Sequence, residues 1–588
     1  MHGIAASPGI AIGRAFLLDR RKVKIPRRHL EQYEIDGELA RLDAAIAASD
    51  EQLERVKSKL REREGEDHFH IIEAHQLILH DEQLVEPTRR RIREDRVNAE
   101  WALRRTVEEI KRVFDAIEDD YFRERRSDVD FVGDHILGNL TGERHEGDVE
   151  MPPPGSIVVA HDLSPADTVH LHRGSAAGFV TDAGGKTSHS SILARAFKLP
   201  SVVGVEHGTH RIASGDMVII DGGEGRVILR PSPEELDAYR TRDRRHRAVV
   251  ADLGKNRDLP AETTDGGRLR LYANVELSEE VASALEQGAE GIGLFRTEFL
   301  FLDRHDVPRE EEHFMHARGV LRRVAPFPAT FRTFDLGADK VAPFAVHAHS
   351  EKEANPALGL RSIRLCLKER PMFKAQLRGL LRASVHGRMR IMFPMISGVD
   401  ELREARGVLD EVKADLRRDG IPFDAELPVG IMVEMPSAVM IADLLAREAD
   451  FLSIGTNDLI QYSLGIDRDS EHMSYLYRPL HPAVLRSVRA VVEAGHAAGI
   501  RVGMCGEMAG EPLHALILCG LGLDELSMNA SAIPVVKAVL RGSSLQDARR
   551  FAEEVLLLAS SAEIEKRVHD LMYERFSEDL LRAAGPTV

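Results

Sequence analysis

Short apolar runs alternate with longer amphipathic stretches over the C-terminal half of the chain. Each run has the length and the bounding Gly, Pro or Asp residues of a buried strand, and each is followed by a stretch with helical spacing. Eight such units within residues 261–575 favour a closed (β/α)8 barrel of the TIM type over an open sheet. The eight runs are LRLYANV, GIGLFRTEF, TFRTFDLG, MRIMFPMI, LPVGIMVEMP, FLSIGTNDL, IRVGMCGEM and DELSMN.

The first part of the chain has a different pattern. Runs between Gly3 and Leu18 predict two strands, and β-rich runs within 145–230 predict an α/β domain that these strands join. Between them, apolar residues recur at intervals of three and four, the spacing of helices that pack together. These residues are Leu39, Leu42, Ile46, Leu53, Val56 and Leu60. We therefore expect residues 21–144 to form a helical bundle inserted into an α/β domain built from 1–20 and 145–230.

A charged segment separates these two regions from the predicted barrel. Residues 231–260 contain many charged and few apolar side chains. That composition cannot supply a core of its own, so we interpret the segment as a helical linker.

Composition narrows the classes of function. The chain has 79 Lys and Arg against 96 Asp and Glu, and this net charge of −17 disfavours nucleic acid or an anionic membrane as a partner. The three cysteines form neither a disulfide framework nor a zinc motif, which suits a reducing compartment. Because no apolar run reaches about 18 residues, we expect a cytoplasmic protein without membrane insertion.

One histidine, His189, stands where a glycine-rich turn leads into a predicted helix, within TDAGGKTSHSSILAR. A helix N-terminus presents unpaired N–H groups and the positive end of the helix dipole, so a phosphoryl group on this imidazole would be partly neutralised. Ser188, Ser190 and Ser191 add hydroxyl donors. A nucleotide P-loop is excluded, because its first glycine would fall on Val180. A capped structural histidine remains the alternative.

Charged side chains gather at the predicted C-terminal ends of the barrel strands, where the working residues of such barrels lie. Arginines bind phosphate and carboxylate through paired donors, and carboxylates are ligands for Mg²⁺. Three arginines and two carboxylates at one mouth therefore predict a small ligand with a phosphate and a carboxylate, bound together with Mg²⁺. The residues are Arg296, Arg332, Arg468, Glu434, Asp458 and Asn457, with Asn355, Gly359 and Arg361 of NPALGLR as further candidates.

Cys505 follows the seventh predicted strand, in GMCGEMAG. As a nucleophile it would need His481 or His514 to approach in space as a base. As a general acid it would stay a thiol near neutral pH and protonate a carbanion or enolate. We expect Cys366 and Cys519 to be buried and inert.

Four histidines within the helical region raise the question of a metal site: His68, His70, His75 and His80. Cysteine ligands are absent from this region, and the spacing brings few of the four imidazoles together. A solvated or partner-facing helix surface is the favoured interpretation.

Motifs along nearly the whole chain resemble those of enzyme I of the bacterial phosphotransferase system, the phosphoenolpyruvate–protein phosphotransferase family. They are SPGIAIG, TDAGGKTSHSSILAR, GIGLFRTEFL, FRTFDLGADK, NPALGLR, RIMFPMI, VGIMVEMPSA, FLSIGTNDLIQYSLGIDR and GMCGEMAG. The resemblance implies that His189 is phosphorylated, that Glu434 and Asp458 bind Mg²⁺, and that Cys505 protonates the enolate released as pyruvate. It further implies that phosphoenolpyruvate is held by Arg296, Arg332, Asn457, Asp458 and Arg468.

The resemblance also implies partners and a domain movement. The family transfers the phosphoryl group to a histidine of the carrier protein HPr as the first step of sugar uptake, and we expect HPr to dock on the helical region from about His68 to Leu84. His189 would reach the barrel by a swivel about residues 145–151 and 231–260. A homodimer through the barrel is a further expectation.

Two other functions share parts of this pattern. A pyruvate phosphate dikinase or phosphoenolpyruvate synthase has the histidine domain and the barrel, but it adds an ATP-binding domain, and the N-terminal helices here contain no glycine-rich nucleotide loop. A non-catalytic regulatory scaffold would keep the fold but would lack some of the catalytic and binding residues, whereas all of the candidate residues are present in this chain.

Overall fold

The computed structural model describes residues 1–7, 9–18, 27–64, 75–115, 120–141, 152–163, 176–185, 191, 194, 199–301, 306–337, 355–468 and 473–583. The chain divides into two compact units, Met1–Arg244 and Arg245–Val588.

The first unit contains a seven-stranded sheet in the order β1-β5-β4-β3-β2-β6-β7. Its strands are β1 Ile4–Ser7, β2 Ile10–Leu18, β3 Ile157–Ala160, β4 Gly178–Thr181, β5 Ser201–Val203, β6 Met217–Asp221 and β7 Arg226–Leu229. β2 pairs in parallel with β3 and antiparallel with β6, so an N-terminal strand lies inside a sheet in which five of the other strands follow in the chain from Ile157 onward. The two opening strands are confirmed.

A helical bundle with its own apolar core lies in the chain between β2 and β3. Its helices are Ile35–Glu64, Glu82–Glu94, Ala99–Asp115 and Asp120–Thr141, with a short helical segment at 75–79. Leu42 and Leu53 of the predicted seam are buried in this core, whereas the side chains of Val56 and Leu60 lie outside the described residues. Asp81 begins the second helix by accepting a hydrogen bond from the backbone of Gln83 at 2.8 Å.

The described residues of this unit also form the 3₁₀ helix Gln32–Glu34, a short helix, Gly208–Arg211, and the beginning of the long helix Pro233–Lys255. Arg242 on the long helix pairs with the buried Asp221 at the end of β6 at 2.7 Å. This ion pair ties the first part of the helix to the sheet.

The second unit is a closed barrel of eight parallel strands. They are β8 Arg270–Val275, β9 Ile292–Arg296, β10 Pro328–Arg332, β11 Arg388–Phe393, β12 Val429–Val433, β13 Phe451–Ile454, β14 Arg501–Met504 and β15 Glu525–Met528. β15 pairs with β8 and thereby closes the ring. All eight strands predicted from the apolar runs are present.

Helices surround the barrel and bury its outer face in one large apolar core. Those of seven or more residues are Glu280–Glu286, Glu310–Val324, Ser362–Lys368, Arg370–Ala383, Val399–Arg418, Thr456–Leu464, Pro482–Ala497, Ile533–Arg541, Leu545–Leu556 and Ser561–Arg575. Shorter helices are Pro436–Met440, Ala442–Leu445, Ala515–Gly520 and Glu578–Leu581. Local sequence signals mark where some of these helices begin. At the start of the helix Ser561–Arg575, the side chains of Ser560 and Glu563 each accept the other's backbone N–H, which forms a capping box.

These observations confirm the predicted fold class, an α/β domain with an inserted helical bundle followed by a (β/α)8 barrel. Glycine and proline bound the strand runs, and the helices have one apolar face. When all eight strands are parallel, a closed barrel surrounded by helices buries these apolar surfaces. In the described part of the chain, no helix has the length and apolar character required to cross a membrane.

Candidate active site

Two of the predicted arginines end neighbouring barrel strands. Arg296 is the last residue of β9 and Arg332 the last of β10, and the two are paired in the strand register. Arg296 forms an ion pair with Glu276, and its side chain is 42% exposed. Because parallel strands finish at the same rim, both guanidinium groups belong to one mouth of the barrel.

Arg332 lies in a buried ionic network. It contacts Glu298 at 3.1 Å and Asp335 at 2.8 Å, and Asp335 also accepts from Arg361 at 3.1 Å. Arg361 in turn lies 3.7 Å from Asp458. Burial alone opposes a charged guanidinium, but the facing carboxylates outweigh it and raise the pKa of Arg332. The network keeps this arginine charged inside the protein.

The three arginines Arg296, Arg332 and Arg361 share an unusual feature. The Nε–H donor of each is buried and has no hydrogen-bond partner among the described residues. Buried polar groups are normally paired, and leaving one unpaired costs free energy. Three such donors on one rim are therefore suited to an anionic ligand.

The two predicted metal ligands lie close to this network. Glu434 directly follows β12 and Asp458 lies in the helix that follows β13, and both side chains are buried. Oε1 of Glu434 accepts the backbone N–H of Met395 at 2.6 Å, and Met395 has a left-handed φ of 51°. A strained backbone at such a place is a frequent feature of functional sites.

The electrostatics of Glu434 fit a divalent cation. Burial, and then the negative charges of Asp458 and Asp335, raise the pKa of this carboxyl well above its ordinary value. A cation between Glu434 and Asp458 would compensate that excess negative charge. No cluster of three or more His, Cys, Asp or Glu side chains suited to a metal occurs in the ranges that the structure describes. Two carboxylates with ligand oxygens to complete the set match the way Mg²⁺ is usually held.

Asn457 and Arg468 extend the site along the helix Thr456–Leu464 and the residues after it. Asn457 donates from Nδ2 to Glu507 at 2.8 Å and accepts from the backbone N–H of Glu507 at 2.9 Å. Arg468 reaches Asp458 at 3.6 Å, while its side chain stays 40% exposed. The structure thus brings the predicted barrel residues together at one rim.

Cys505 follows β14 and is 4% exposed. It packs with Leu294, Met392, Met432 and Phe451 in a small apolar cluster. Burial raises the pKa of its thiol to about 11, so the thiol carries its proton at neutral pH. This favours the general acid over the nucleophile among the two sequence-based roles.

The predicted phosphoryl-accepting residue, His189, lies outside the described residues, as do Ser188 and Ser190. The strand that leads to this segment, β4, is followed by Asp182, which accepts from the backbone N–H of Thr209 at 3.0 Å. Ser191 is buried and donates to the carbonyl of Gly185 at 2.7 Å. The hydroxyl of Ser191 therefore bonds a backbone carbonyl in this structure.

The histidines of the helical region are described in part. His68 and His70 lie outside the described residues. His80 is 57% exposed and lies 3.4 Å from Asp50. His75 is 2% exposed, so the expectation of a solvated or partner-facing surface is wrong for this residue, whose side chain is buried.

The other two cysteines behave as expected. Cys366 and Cys519 are buried, and burial raises the pKa of both thiols. Neither contributes a reactive thiolate at neutral pH.

Several site residues carry no signal that the sequence analysis used. Asp335 and Glu298 pair with Arg332, Asn274 donates to the carbonyl of Cys505, and Glu507 bonds Asn457. Asp335 and Glu298 could have been found from their position near strand ends, since Asp335 follows Arg332 by three residues and Glu298 follows Arg296 by two.

The chain is similar to known proteins along nearly its whole length. Residues 2–125, 152–225 and 250–545 match the family models "PEP-utilising enzyme, N-terminal", "PEP-utilising enzyme, mobile domain" and "PEP-utilising enzyme, PEP-binding domain". A phosphoenolpyruvate-protein phosphotransferase of Geobacillus stearothermophilus is 43% identical over 96% of both chains. One of Haemophilus influenzae is 40% identical over 98% of this chain and 99% of its own. A solution structure of an Enzyme I (nEIt) protein is 35% identical and covers 42% of this chain and 99% of its own, with a TM-score of 0.36.

Proposed function

The chain belongs to the phosphoenolpyruvate–protein phosphotransferase family, enzyme I of the phosphotransferase system, and from this membership we propose how its own residues perform the reaction. The barrel mouth binds phosphoenolpyruvate, His189 accepts the phosphoryl group, and Cys505 protonates the enolate that is left. His189 then passes the group to a histidine of an HPr-type carrier, which starts sugar uptake. The buried Nε–H donors of Arg296, Arg332 and Arg361, none of which has a hydrogen-bond partner among the described residues, are the observation that most strongly supports an anionic ligand at this mouth.

Phosphoenolpyruvate matches the chemistry of the mouth. Its phosphate and carboxylate are acceptors for Arg296, Arg332 and Arg468, and the amide of Asn457 adds a neutral donor. In this structure the Asn457 amide bonds Glu507, so ligand binding has to compete with that contact. The arginines orient the ligand so that its vinyl carbon faces the apolar cluster around Cys505.

The transfer itself breaks one bond and forms another. The bond between phosphorus and the enol oxygen breaks while His189 Nε2, unprotonated, attacks the phosphorus. The electron pair remains as an enolate, whose terminal carbon takes the proton of the Cys505 thiol to give pyruvate. Water then returns a proton to the thiolate. Acidic solution protonates the imidazole and slows the first step.

Glu434 and Asp458 are proposed to hold Mg²⁺, which neutralises negative charge on the phosphate and the enolate oxygen when it is bound. The family-level expectation is a divalent cation, and magnesium is the hard ion that two carboxylates and ligand oxygens suit.

Removal of divalent cations is expected to lower turnover by roughly 10³-fold, because the charge that develops on the enolate then has no counter-ion. The measurement is pyruvate release after chelation and dialysis, followed by titration with Mg²⁺. Glu434→Gln should raise the Mg²⁺ concentration needed for half-activity, whereas Glu290→Gln, at a carboxylate that pairs with Arg268 away from the rim, should not. Full activity after chelation would contradict the metal assignment.

The phosphoryl donor distinguishes the proposed function from the ATP-dependent alternative, a dikinase or synthase. Incubation with phosphoenolpyruvate and Mg²⁺ should label His189, and incubation with ATP and pyruvate should leave it unlabelled. Efficient labelling from ATP would instead establish a dikinase or synthase.

The carrier is proposed to dock on the helical bundle. The segment at 75–79 exposes 75% of Leu77, and acidic residues Asp81 and Glu82 follow it at the start of the next helix. An exposed leucine beside acidic groups suits a carrier with an apolar and basic contact surface.

Leu77→Asp is expected to raise the KM for the HPr carrier about tenfold, because a charge then replaces an apolar contact. Tyr33, which is 84% exposed elsewhere on the bundle, provides the matched control Tyr33→Asp. Steady-state transfer to the carrier measures the KM, and labelling of His189 by phosphoenolpyruvate should be the same in both variants. An equal KM for the two variants would place the docking face elsewhere.

Movement and assembly complete the proposal. His189 reaches the mouth by a swivel about residues 145–151, which lie outside the described residues, and 231–260. A homodimer through the barrel is supported by large apolar side chains left in solvent: Met440 is 82% exposed and Leu444 is 43% exposed on the short helices after β12.

A further inference from the structure

The peptide of Cys505 is held from two sides of the barrel. Its N–H donates to the carbonyl of Ile454 at 3.1 Å, on the preceding strand. Its carbonyl accepts from the side-chain amide of Asn274 at 3.0 Å. The thiol itself sits among apolar side chains and donates to the same Ile454 carbonyl at 3.8 Å, a long contact. The placement of Sγ therefore depends on this contact and on the placement of its backbone.

Asn274 reaches Cys505 from a distant part of the chain. It lies on β8, and both β8 and β14 are neighbours of β15, so its side chain spans the strand between them. Oδ1 of Asn274 accepts from the hydroxyl of Ser527 on β15 at 2.6 Å. With its oxygen fixed by Ser527, the amide must present its N–H₂ group to the Cys505 carbonyl.

We propose that Asn274 is a positioning residue that sets the direction of proton delivery by Cys505, an inference that rests on the acid role proposed above. The Asn274 amide fixes the Cys505 carbonyl and so aims the thiol at one face of the enolate. Proton transfer from Sγ to the terminal carbon is sensitive to distance and angle, and an error near 1 Å can reduce a rate about a hundredfold. If the thiol is misplaced, the enolate leaves the site before it is protonated and then takes its proton from water on either face.

The test uses two variants of the full-length enzyme with one matched control. Asn274→Asp keeps the shape and the contact with Ser527 but cannot donate to the carbonyl. Asn274→Ala removes the donor without adding charge. The control is Asn256→Asp, since Asn256 directly follows the helix Pro233–Lys255 and none of the strand ends that form the rim. Thermal melting establishes that each variant is folded.

Two measurements report on the role. The first is the kcat and the KM for phosphoenolpyruvate. The second is the stereochemistry of pyruvate formed from phosphoenolpyruvate that carries one deuterium on its vinyl carbon in a single defined geometry, E or Z, turned over in tritiated water. A thiol that delivers from one side gives a methyl group of a single configuration, and protonation by water gives a racemic one.

Both Asn274 variants are expected to lose about ten- to a hundredfold in kcat with a KM within about threefold of the wild type, and to give partly racemic pyruvate. A kcat and a stereochemistry equal to those of the control would overturn the proposal. So would a loss confined to Asn274→Asp, because the added charge would then be its cause. Racemic pyruvate from the wild type would instead contradict the acid role of Cys505 itself.

Discussion

His189→Ala is expected to transfer no phosphoryl group from phosphoenolpyruvate to any protein. Alanine has no nitrogen to attack phosphorus, and the thiol of Cys505 is no substitute nucleophile, since burial keeps it protonated. The rate should fall by roughly 10⁴-fold or more, to the background level. Labelled phosphoenolpyruvate with Mg²⁺ and an HPr carrier measures this directly, by the radioactivity that appears on protein.

Binding of phosphoenolpyruvate tests whether the site that binds the ligand is separate from the histidine that accepts the phosphoryl group. The His189→Ala enzyme should bind the ligand with a dissociation constant within about twofold of the wild type, because the arginines and carboxylates of the mouth are unchanged. His161→Ala is the matched control, since His161 is an 80% exposed histidine of the same sheet unit. Lost binding in His189→Ala would show that acceptor and ligand sites are not separable, and transfer by this variant would show that another residue is the acceptor.

Cys505→Ser is expected to lower kcat by about 10²- to 10³-fold with little change in the KM for phosphoenolpyruvate. The serine hydroxyl has the size of the thiol but gives up its proton far less readily, whereas the apolar cluster around it still fits. Pyruvate release measures the kcat. Cys519→Ser, at a buried thiol away from the mouth, should retain wild-type turnover.

The pH dependence of this thiol has a definite sign. Burial raises its pKa to about 11, so the acid form persists through neutral pH and is lost only as the pH rises toward that value. Alkylation of Cys505 should accordingly be slow at pH 8 and should accelerate toward pH 11. Unchanged turnover in Cys505→Ser, or fast alkylation near neutral pH, would require a different proton donor.

The barrel was predictable because its signals are local and repeated. Each strand is an apolar run of four to six residues, and parallel strands necessarily bring their C-terminal ends to one rim. That rule alone predicts that Arg296, Arg332 and Glu434 share one mouth. Runs of the same kind predict that β2 joins the sheet of the first unit.

The pairing of side chains was not predictable in the same way. Asn274 and Cys505 are 231 positions apart and meet only because β15 closes the barrel between them. Asp335 bridges Arg332 and Arg361, which come from different segments of the chain. Helical spacing likewise does not reveal that the side chain of His75 is buried. Such contacts form only when distant segments of the chain come together in the fold, and a local sequence pattern does not encode them.

The central claim is that His189 is charged by phosphoenolpyruvate and discharged to a protein. The most direct measurement is incubation of the enzyme with labelled phosphoenolpyruvate and Mg²⁺, mapping of the labelled peptide, and a chase with an HPr carrier. We expect one acid-labile phosphoryl group per chain on His189, which leaves the enzyme when the carrier is added. An acid-stable label, a label on another peptide, or a label that the carrier cannot remove would contradict the account.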